Sequence, residues 1–460
     1  MSIDTVIRIV DLLAAICFIL ALKGLSNPKT AQQGNILGAL GMAVAIGLNF
    51  KTPGLHRFGL IILAMVIGTA IGVPVARYVK MTAVPQMVAA FNGVGGGAAA
   101  LVAISDFLQA KPKELAVYQI VEVLFGVIVG SVSFSGSVIA FAKLQEIMSG
   151  RPITYPGQKI INAALFASIV AGTIWLCTDP SWQLLLAVAL LSNVFGVALV
   201  LPIGGADVPV LISLLNSFTG LAVAASGFVL HSVLLVVAGT LVGASGTLLT
   251  RMMSQAMGRS IVNILFSAFG SAVIGEDSAD VTGRSVVSAG VEDVAILLAY
   301  SRKVAIVPGY GLAVAQAQHV VRELADLLEE RGVEVFYAIH PVAGRMPGHM
   351  NVLLAEANVP YEKLHEMEQA NTEFATTDVA LVIGANDVVN PAAKTSPGSP
   401  IFGMPILNVD EAKNVIFMKR SMRPGFTGIE NELMYSPGTT LLFGDAKDSL
   451  TLLINAVKSS

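Results

Sequence analysis

Charge is what this chain of 460 residues has least of: Asp, Glu, Lys and Arg make up only 13% of it, against 54% apolar residues. A soluble globular chain carries about a quarter charged residues, so much of this one is expected to lie outside water. Cysteine is almost absent, with Cys17 and Cys177 each inside an apolar run. That excludes a disulfide framework, a CxxC metal site and an iron–sulfur cluster. No haem motif appears either, so a membrane dehydrogenase passing electrons to quinone lacks a carrier. A Walker phosphate loop, a Ser/His/Asp nucleophile set and a basic nucleic-acid stripe are also missing, so no nucleic-acid partner is expected. His340 and His349 flank a proline-glycine loop without a third ligand at metal spacing, and no metal is expected there.

The charges that are present divide unevenly. Residues 1–260 hold 14 Lys+Arg and 8 Asp+Glu, and the last 200 hold 14 and 23. A helix needs about 20 apolar residues to cross the hydrocarbon layer, and nine segments come near this. They run from Ile3 to Leu22, Gly34 to Phe50, Phe58 to Tyr78, Pro85 to Leu108, Val117 to Leu144, Ile160 to Cys177, Trp182 to Leu201, Val208 to Leu230 and His231 to Met253. The first carries Arg8 and Asp11 and is followed by no small-residue cleavage site, so it reads as a retained span.

Nine spans place the termini on opposite sides. Loops on the C-terminal side hold Lys23, Lys29, Arg77, Lys80, Lys143, Arg151, Lys159, Arg251 and Arg259, while the opposite loops hold Lys51, Arg57, Lys111 and Lys113. Lys/Arg in short loops mark the cytoplasmic face. The C-terminal half is therefore expected in the cytoplasm.

Polar groups at membrane depth are costly and mark ion or substrate paths. The candidates are Asn92, Glu122, Ser133, Ser135, Ser137, Asp207, Asn216 and Ser217. Asn92 heads a run of small residues through Ala100 whose Gly93 and Gly97 suit close helix packing. Glu122 stands near a helix start, either at headgroup level or on a path. Ser137 either lines the path or back-bonds to its own helix. Asp207 follows Pro202 and two glycines, which suits a cytoplasmic loop and helix N-cap rather than a buried carboxylate. Asn216 lies nine residues into its span, deep enough for an intramembrane role.

Beyond a linker at 261–285 the pattern becomes that of an α/β domain, 286–460. A strand at Lys303–Val307 runs into Gly309-Tyr310-Gly311-Leu312-Ala313-Val314. A helix follows, with apolar positions at Ala313, Ala317, Val320, Leu324 and Leu327 and a cap at Gly332. Strand, glycine turn and helix form the context of a dinucleotide site, although Val314 stands where the third glycine would be. In NAD-binding folds the second strand ends in an acid that holds the ribose 2′-hydroxyl. Here Val333–Ile339 ends in His340-Pro341, followed by Val342, Ala343, Gly344 and Arg345. A third strand, Val379–Ile383, leads to Gly384, Ala385, Asn386 and Asp387, and Asp387 either accepts from the nicotinamide end or ends the strand.

After Met418 come Lys419, Arg420 and Ser421, which suit a 2′-phosphate or form a solvated basic edge. The missing acid and the added cations together indicate NADP(H). The loop from Met422 to Gly438 is a candidate lid.

The segments GYGLAVAQAQ, HPVAGRMPGHMNVLLAEANVPY, VIGANDVVNPAA, MKRSM and LFGDAK, with LPIGGADVPVLISLLNSFTG and GSVIAFAKLQ in the apolar half, resemble the beta subunit of the proton-translocating NAD(P) transhydrogenase family over essentially the whole chain. That resemblance implies an α-helical transmembrane bundle in residues 1–260 and a Rossmann-like NADP(H) domain. It also implies hydride transfer from NADH to NADP⁺, of the AB-specific (Si-Re) type, coupled to inward proton movement. An alpha subunit would supply the NAD(H) site and further transmembrane helices, with two alpha–beta units forming a dimer in lipid at the bacterial inner membrane.

Carried over by motif, Gly309, Gly311, Arg345, Asp387, Lys419, Arg420 and Ser421 would contact NADP(H), with Gly425 and Phe426 in the lid and Gly444 and Asp445 in the last motif. Ser137 and Asn216 would lie on the proton path and Asp207 at its cytoplasmic mouth. Some members place a histidine where this chain has Asn92. Asparagine does not titrate, so the titrating histidine is expected on the partner subunit. A transporter or channel gated by a cytoplasmic NADP(H)-sensing domain is the alternative, but neither a TVGYG-like filter nor a convincing inverted repeat is present.

Overall fold

Segments surrounded by hydrocarbon satisfy their backbone groups internally, which favours helices wherever apolar runs are long. The computed structural model describes residues 3–50, 57–80, 83–110, 115–149, 152–204, 207–257, 260–266, 286–346, 348–396, 399, 401–423, 425 and 427–459. The first half contains α1 (Ile3–Leu25), α2 (Pro28–Asn49), α3 (Phe58–Tyr78), α4 (Val84–Gln109), α5 (Val117–Leu144), α6 (Gln158–Thr178), α7 (Trp182–Val200), α8 (Val208–Val229) and α9 (Val233–Ala256). Seven of these, α3 to α9, are long and apolar enough to cross a membrane among the described residues. The expected nine spans are thus nine long helices, of which seven meet that measure. In α1 the apolar run is interrupted by Arg8 and Asp11, and α2 opens on the polar stretch Lys29–Gln33. That opening is helical because Pro28 starts the helix and the Asn27 side chain accepts the Lys29 N–H at 2.9 Å.

Close backbone approach holds this half together. A Cβ on Gly130 would lie 2.6 Å from the Gly96 carbonyl oxygen, so α4 and α5 meet with no side chain between them. Gly220 and Gly239 do the same for α8 and α9. An apolar cluster of Phe107, Ile120, Leu124, Leu176, Leu185 and Val188 joins α4, α5, α6 and α7.

The chain divides into two compact units, one of Met1–Gly204 with Val210–Thr250 and the other of Gly205–Pro209 with Arg251–Ser460. The second contains α10 (Ile261–Phe266), α11 (Val291–Ala299), β1 (Lys303–Pro308), α12 (Tyr310–Val314), α13 (Gln318–Glu330), β2 (Glu334–Ile339), α14 (His349–Glu356), β3 (Leu364–Glu366), α15 (Met367–Glu373), β4 (Val379–Ile383), α16 (Ala392–Thr395), β5 (Asn414–Lys419), β6 (Thr439–Phe443) and α17 (Ala446–Ser459). Of the expected linker, 261–266 forms α10, and 267–285 lie outside the described residues.

The six strands form one sheet in the order β3-β2-β1-β4-β5-β6, each pair parallel. Both faces are buried. Ala305, Val307, Phe336, Ala338, Val382 and Phe417 pack on one side, and the alternate residues Val304, Ile306, Tyr337, Leu381 and Ile416 are equally inaccessible.

One expectation of the helix pattern changes. The single helix from the glycine turn to Gly332 is two, α12 and α13, broken where Gln316 takes a φ of 51°. The break resets the phase, so α13 buries Val321, Leu324, Ala325 and Leu328 rather than Val320 and Leu327.

Candidate functional site

The sheet register brings the sequence-predicted residues to one edge. Pro308 pairs with Ile383, Ile383 with Met418, and Lys419 with Phe443, so Gly309, Gly384, Lys419 and Gly444 follow one another along the carboxyl ends of β1, β4, β5 and β6. The strand order reverses between β1 and β4, and a crevice at such a switch point is where open α/β sheets bind ligands.

Glycine is required there. The Gly309 N–H donates to the Ile383 carbonyl at 2.9 Å and the Gly311 N–H to that of Gly384 at 3.0 Å. A Cβ on Gly309 would fall on the backbone of Ala385, and one on Gly311 would lie 2.7 Å from the Gly384 Cα. Leu312, Ala313 and Ala385 are buried beneath this floor, and Val314 is exposed.

On the β2 side the Arg345 guanidinium lies 4.4 Å from the centre of the Tyr310 ring. The Arg345 N–H donates to His349 Nδ1 at 3.1 Å. Gly344 has φ 106°, and a Cβ there would strike the His349 ring. His340 is 1% exposed; its Nδ1 accepts the Val342 N–H at 3.2 Å and its Nε2 is 2.8 Å from the Pro405 carbonyl. Nδ1 acts as acceptor, so the proton is on Nε2, which donates to that carbonyl, and the ring is neutral. Burial pushes its pKa down to about 4. His340 therefore braces the loop of Val342 and Ala343 with both ring nitrogens already engaged.

The loop expected to form a lid is tied to the residues after β4. Asp387 Oδ2 accepts the Thr427 N–H at 3.1 Å, and its Oδ1 accepts from the Asn386 side chain at 3.0 Å. Gly425 crosses directly above, where a Cβ would come 2.7 Å from Asp387 Oδ1. Phe426 lies outside the described residues. Lys419 Nζ reaches Asn386 Oδ1 at 3.4 Å and the Arg423 carbonyl at 3.1 Å. Burial lowers its pKa against the opposite pull of Asp387 and Glu430. Arg420 and Ser421 stand exposed beside it. The Gly444 N–H donates to the Lys419 carbonyl at 3.0 Å, and Asp445 accepts the Lys447 N–H at the start of α17.

Two fully buried asparagines that sequence reasoning passed over secure the strap. Asn431 donates to the Asn386 carbonyl at 3.1 Å and accepts the Leu433 N–H at 3.1 Å, while Asn390 donates to the Glu430 carbonyl at 3.1 Å.

In the membrane half, Asn92 is 7% exposed and its amide nitrogen donates to Ser137 Oγ at 2.9 Å and Ser133 Oγ at 3.3 Å. Ser133 donates onward to the Leu215 carbonyl at 2.8 Å and lies 2.6 Å from Thr219 Oγ1. The Asn92 Oδ1 is buried without a protein partner. Ser135, rather than Ser137, is the serine that back-bonds within its helix, to the Ser131 carbonyl at 3.0 Å. Ser217 turns instead to the Gly243 carbonyl of α9 at 2.8 Å. No hydrogen bond draws Asn216 into the Asn92 cluster, and Glu122 is half-buried apart from it. Asp207 does stand immediately before α8, but its carboxylate is buried rather than set in an open loop.

The family model described as NAD(P) transhydrogenase beta subunit matches residues 7–456. The chain belongs to this family. Two sequences named NAD(P) transhydrogenase subunit beta, one from Rhodospirillum rubrum and one from a named strain of that species, are each 50% identical over 456 residues, covering 97% of this chain and 98% of theirs. A transhydrogenase beta subunit binds nicotinamide nucleotide, and the glycine floor, the stacked Arg345 and the cationic end of β5 are features suited to one. Thr219 was the polar residue missed in the membrane cluster; in sequence it reads as one more small helix-packing residue.

Proposed function

We propose that the second unit holds NADP(H) while an alpha subunit holds NAD(H), and that hydride passes from NADH to NADP⁺ as protons move inward through the first unit. The observation that carries the NADP(H) assignment is the pair of strand ends: β2 ends at Ile339 and is followed by His340, with no carboxylate to accept a ribose 2′-hydroxyl, and β5 ends at Lys419 and is followed by Arg420. When bound, the nicotinamide supplies hydride chemistry at its ring. The chain's own groups bind and orient it. The bare backbone of the Gly309–Gly311 turn would let the pyrophosphate approach closely, Arg345 and Ser421 would add phosphate contacts, and Asp387 holds the loop over it through Thr427. The stereochemistry is of the AB (Si-Re) type, and activity requires the alpha subunit.

In the membrane half, residues 1–260, the orphaned Asn92 Oδ1 supports a water-bearing path. Asn92, Ser137 and Asn216 line it, and Asp207 stands at its cytoplasmic mouth. Asn92 orients a proton donor that it cannot replace, so the titrating histidine belongs to a membrane helix of the alpha subunit. The 261–285 segment couples the two halves. The assembly is a dimer of alpha–beta units in the bacterial inner membrane, with residues 286–460 in the cytoplasm.

The test is to reconstitute the chain with its alpha subunit in liposomes and measure NADP⁺ reduction by NADH against an imposed proton gradient. A rate that rises with an inward gradient is expected, together with tighter binding of NADPH than NADH by the chain alone. Lys419→Met should weaken NADPH about tenfold or more and leave NADH binding unchanged. Equal affinity for the two nucleotides in the parent chain would remove the NADP(H) assignment.

A further inference from the structure

Lys143 counts among the loop cations in the sequence, yet it sits in the last turn of α5 and is 3% exposed. Its ammonium donates to three carbonyls, Val200 at 3.3 Å, Leu201 at 2.5 Å and Ile203 at 2.7 Å. An ammonium has three N–H donors, and all three are used. The acceptors lie where α7 ends, among carbonyls that a helix leaves without intrahelical partners and at the negative end of its dipole.

The surroundings are apolar, because Val200 is fully buried and Ile203 nearly so. Burying a charge in such a place is unfavourable unless it is fully hydrogen-bonded, and a leucine or methionine would fill the volume without that demand. Packing alone does not account for a lysine here.

The same junction gathers further hydrogen bonds. The Leu201 carbonyl also accepts the Ile153 N–H at 3.1 Å, and Gln86 of α4 donates to the Leu144 carbonyl at 3.1 Å. The chain leaving Ile203 enters α8, which supplies Leu215 and Thr219 to the Asn92 cluster, while α5 supplies Ser133 and Ser137. Lys143 thus joins GSVIAFAKLQ to the last residue of α7 through one hydrogen bond and to the start of LPIGGADVPV through two.

We propose that Lys143 is a positioning residue of the proton-translocating half: its ammonium clasps residues 200–203 at the end of α7 and so holds Ser133 and Ser137 in register with Leu215 and Thr219. This rests on the proton-path reading of the membrane half. The clasp acts through the Ser133 bonds, which depend on how far α8 stands from α5.

The test uses the complete alpha–beta complex carrying K143M, K143Q or K143R. Protons moved per hydride transferred are measured in liposomes, and amide exchange is measured in the purified complex. K143M is expected to lower the proton-to-hydride ratio severalfold and to speed exchange about tenfold at residues 201–204 and 215–219, with NADPH affinity unchanged. K143R, which keeps a charged multiple donor, is expected to restore at least half of the ratio. A parental ratio in K143M, or parental exchange at 201–204, would overturn the clasp. If K143M does not assemble, K143Q is judged by the same two readouts. A parent complex that moves no protons, while exchange responds in the variants as described, would reject the translocation reading and leave the clasp standing.

Discussion

In the membrane half, Gly96 and Gly130 sit inside helices and let α4 and α5 touch backbone to backbone; in the nucleotide half, Gly384 takes a φ of 66° and turns the chain over the end of β4. Among the described residues nine glycines have positive φ, and eight of them lie beyond residue 330. The membrane half therefore uses glycine chiefly to remove bulk between helices, and the nucleotide half uses it both to bend the chain and, at Gly309 and Gly311, to bring strand ends together. The difference follows from solvent. Between helices in lipid there is no hydrophobic driving force, so association depends on close contact and a few hydrogen bonds. In water the sheet already buries both faces, and glycine is left free to shape the strand ends.

Substitutions separate the two halves. The largest effect is expected from Gly130→Val, whose side chain would enter the backbone of α4. A loss of more than about 4 kcal/mol in stability of the membrane half is expected, read as failure to assemble in detergent while NADPH binding survives. Gly309→Ala should do the reverse. NADPH affinity falls about a hundredfold, or roughly 3 kcal/mol, and the helical half assembles normally. Comparable loss of assembly in both variants would break the comparison.

The His340 brace gives a pH-dependent version confined to the nucleotide half. Its folded-state pKa of about 4 lies below the ordinary 6.5, so the unfolded chain takes up the proton first. Its contribution to stability is complete above about pH 6.5 and declines as pH falls toward 4, with about 2 kcal/mol lost by pH 5. Thermal unfolding of the nucleotide half should show that slope, and His340→Gln should flatten it. The smallest effect is expected from Ser137→Ala, which removes one hydrogen bond to Asn92 and costs about 1 kcal/mol. Nucleotide affinity should stay constant while proton movement slows.

Much of the architecture was legible because its signals are local. The apolar runs mark the nine helices, and the strand before Gly309 and the strand before Gly384 announce the crevice. What was hidden depends on partners distant in sequence or on segments too short to show a period. β3 has three residues, and β6 is a brief apolar run after the lid. The α12–α13 break turns on the backbone of Gln316, a residue with no breaker character. Ser133 reads as a candidate, but Thr219 becomes one only when α8 lies against α5. Asn216 shows the converse: its depth in the span is plain from sequence, whereas the face it occupies is set by packing. Lys143 looks like an ordinary loop cation until the end of α7 is seen to receive it.

The backbone contact between the Gly309–Gly311 turn and Gly384 also bears on kinetics. Both walls of that floor are main chain held by hydrogen bonds, so neither can swing aside to let a bound dinucleotide out. On the proposed NADP(H) reading, the strap beginning at Gly425, fastened by Asp387, Asn390 and Asn431, is the wall that would lift. Cofactor residence time is then governed by how often a few polar latches release together. Nucleotide exchange can be slow even where affinity is modest, because occlusion rather than tightness sets the clock.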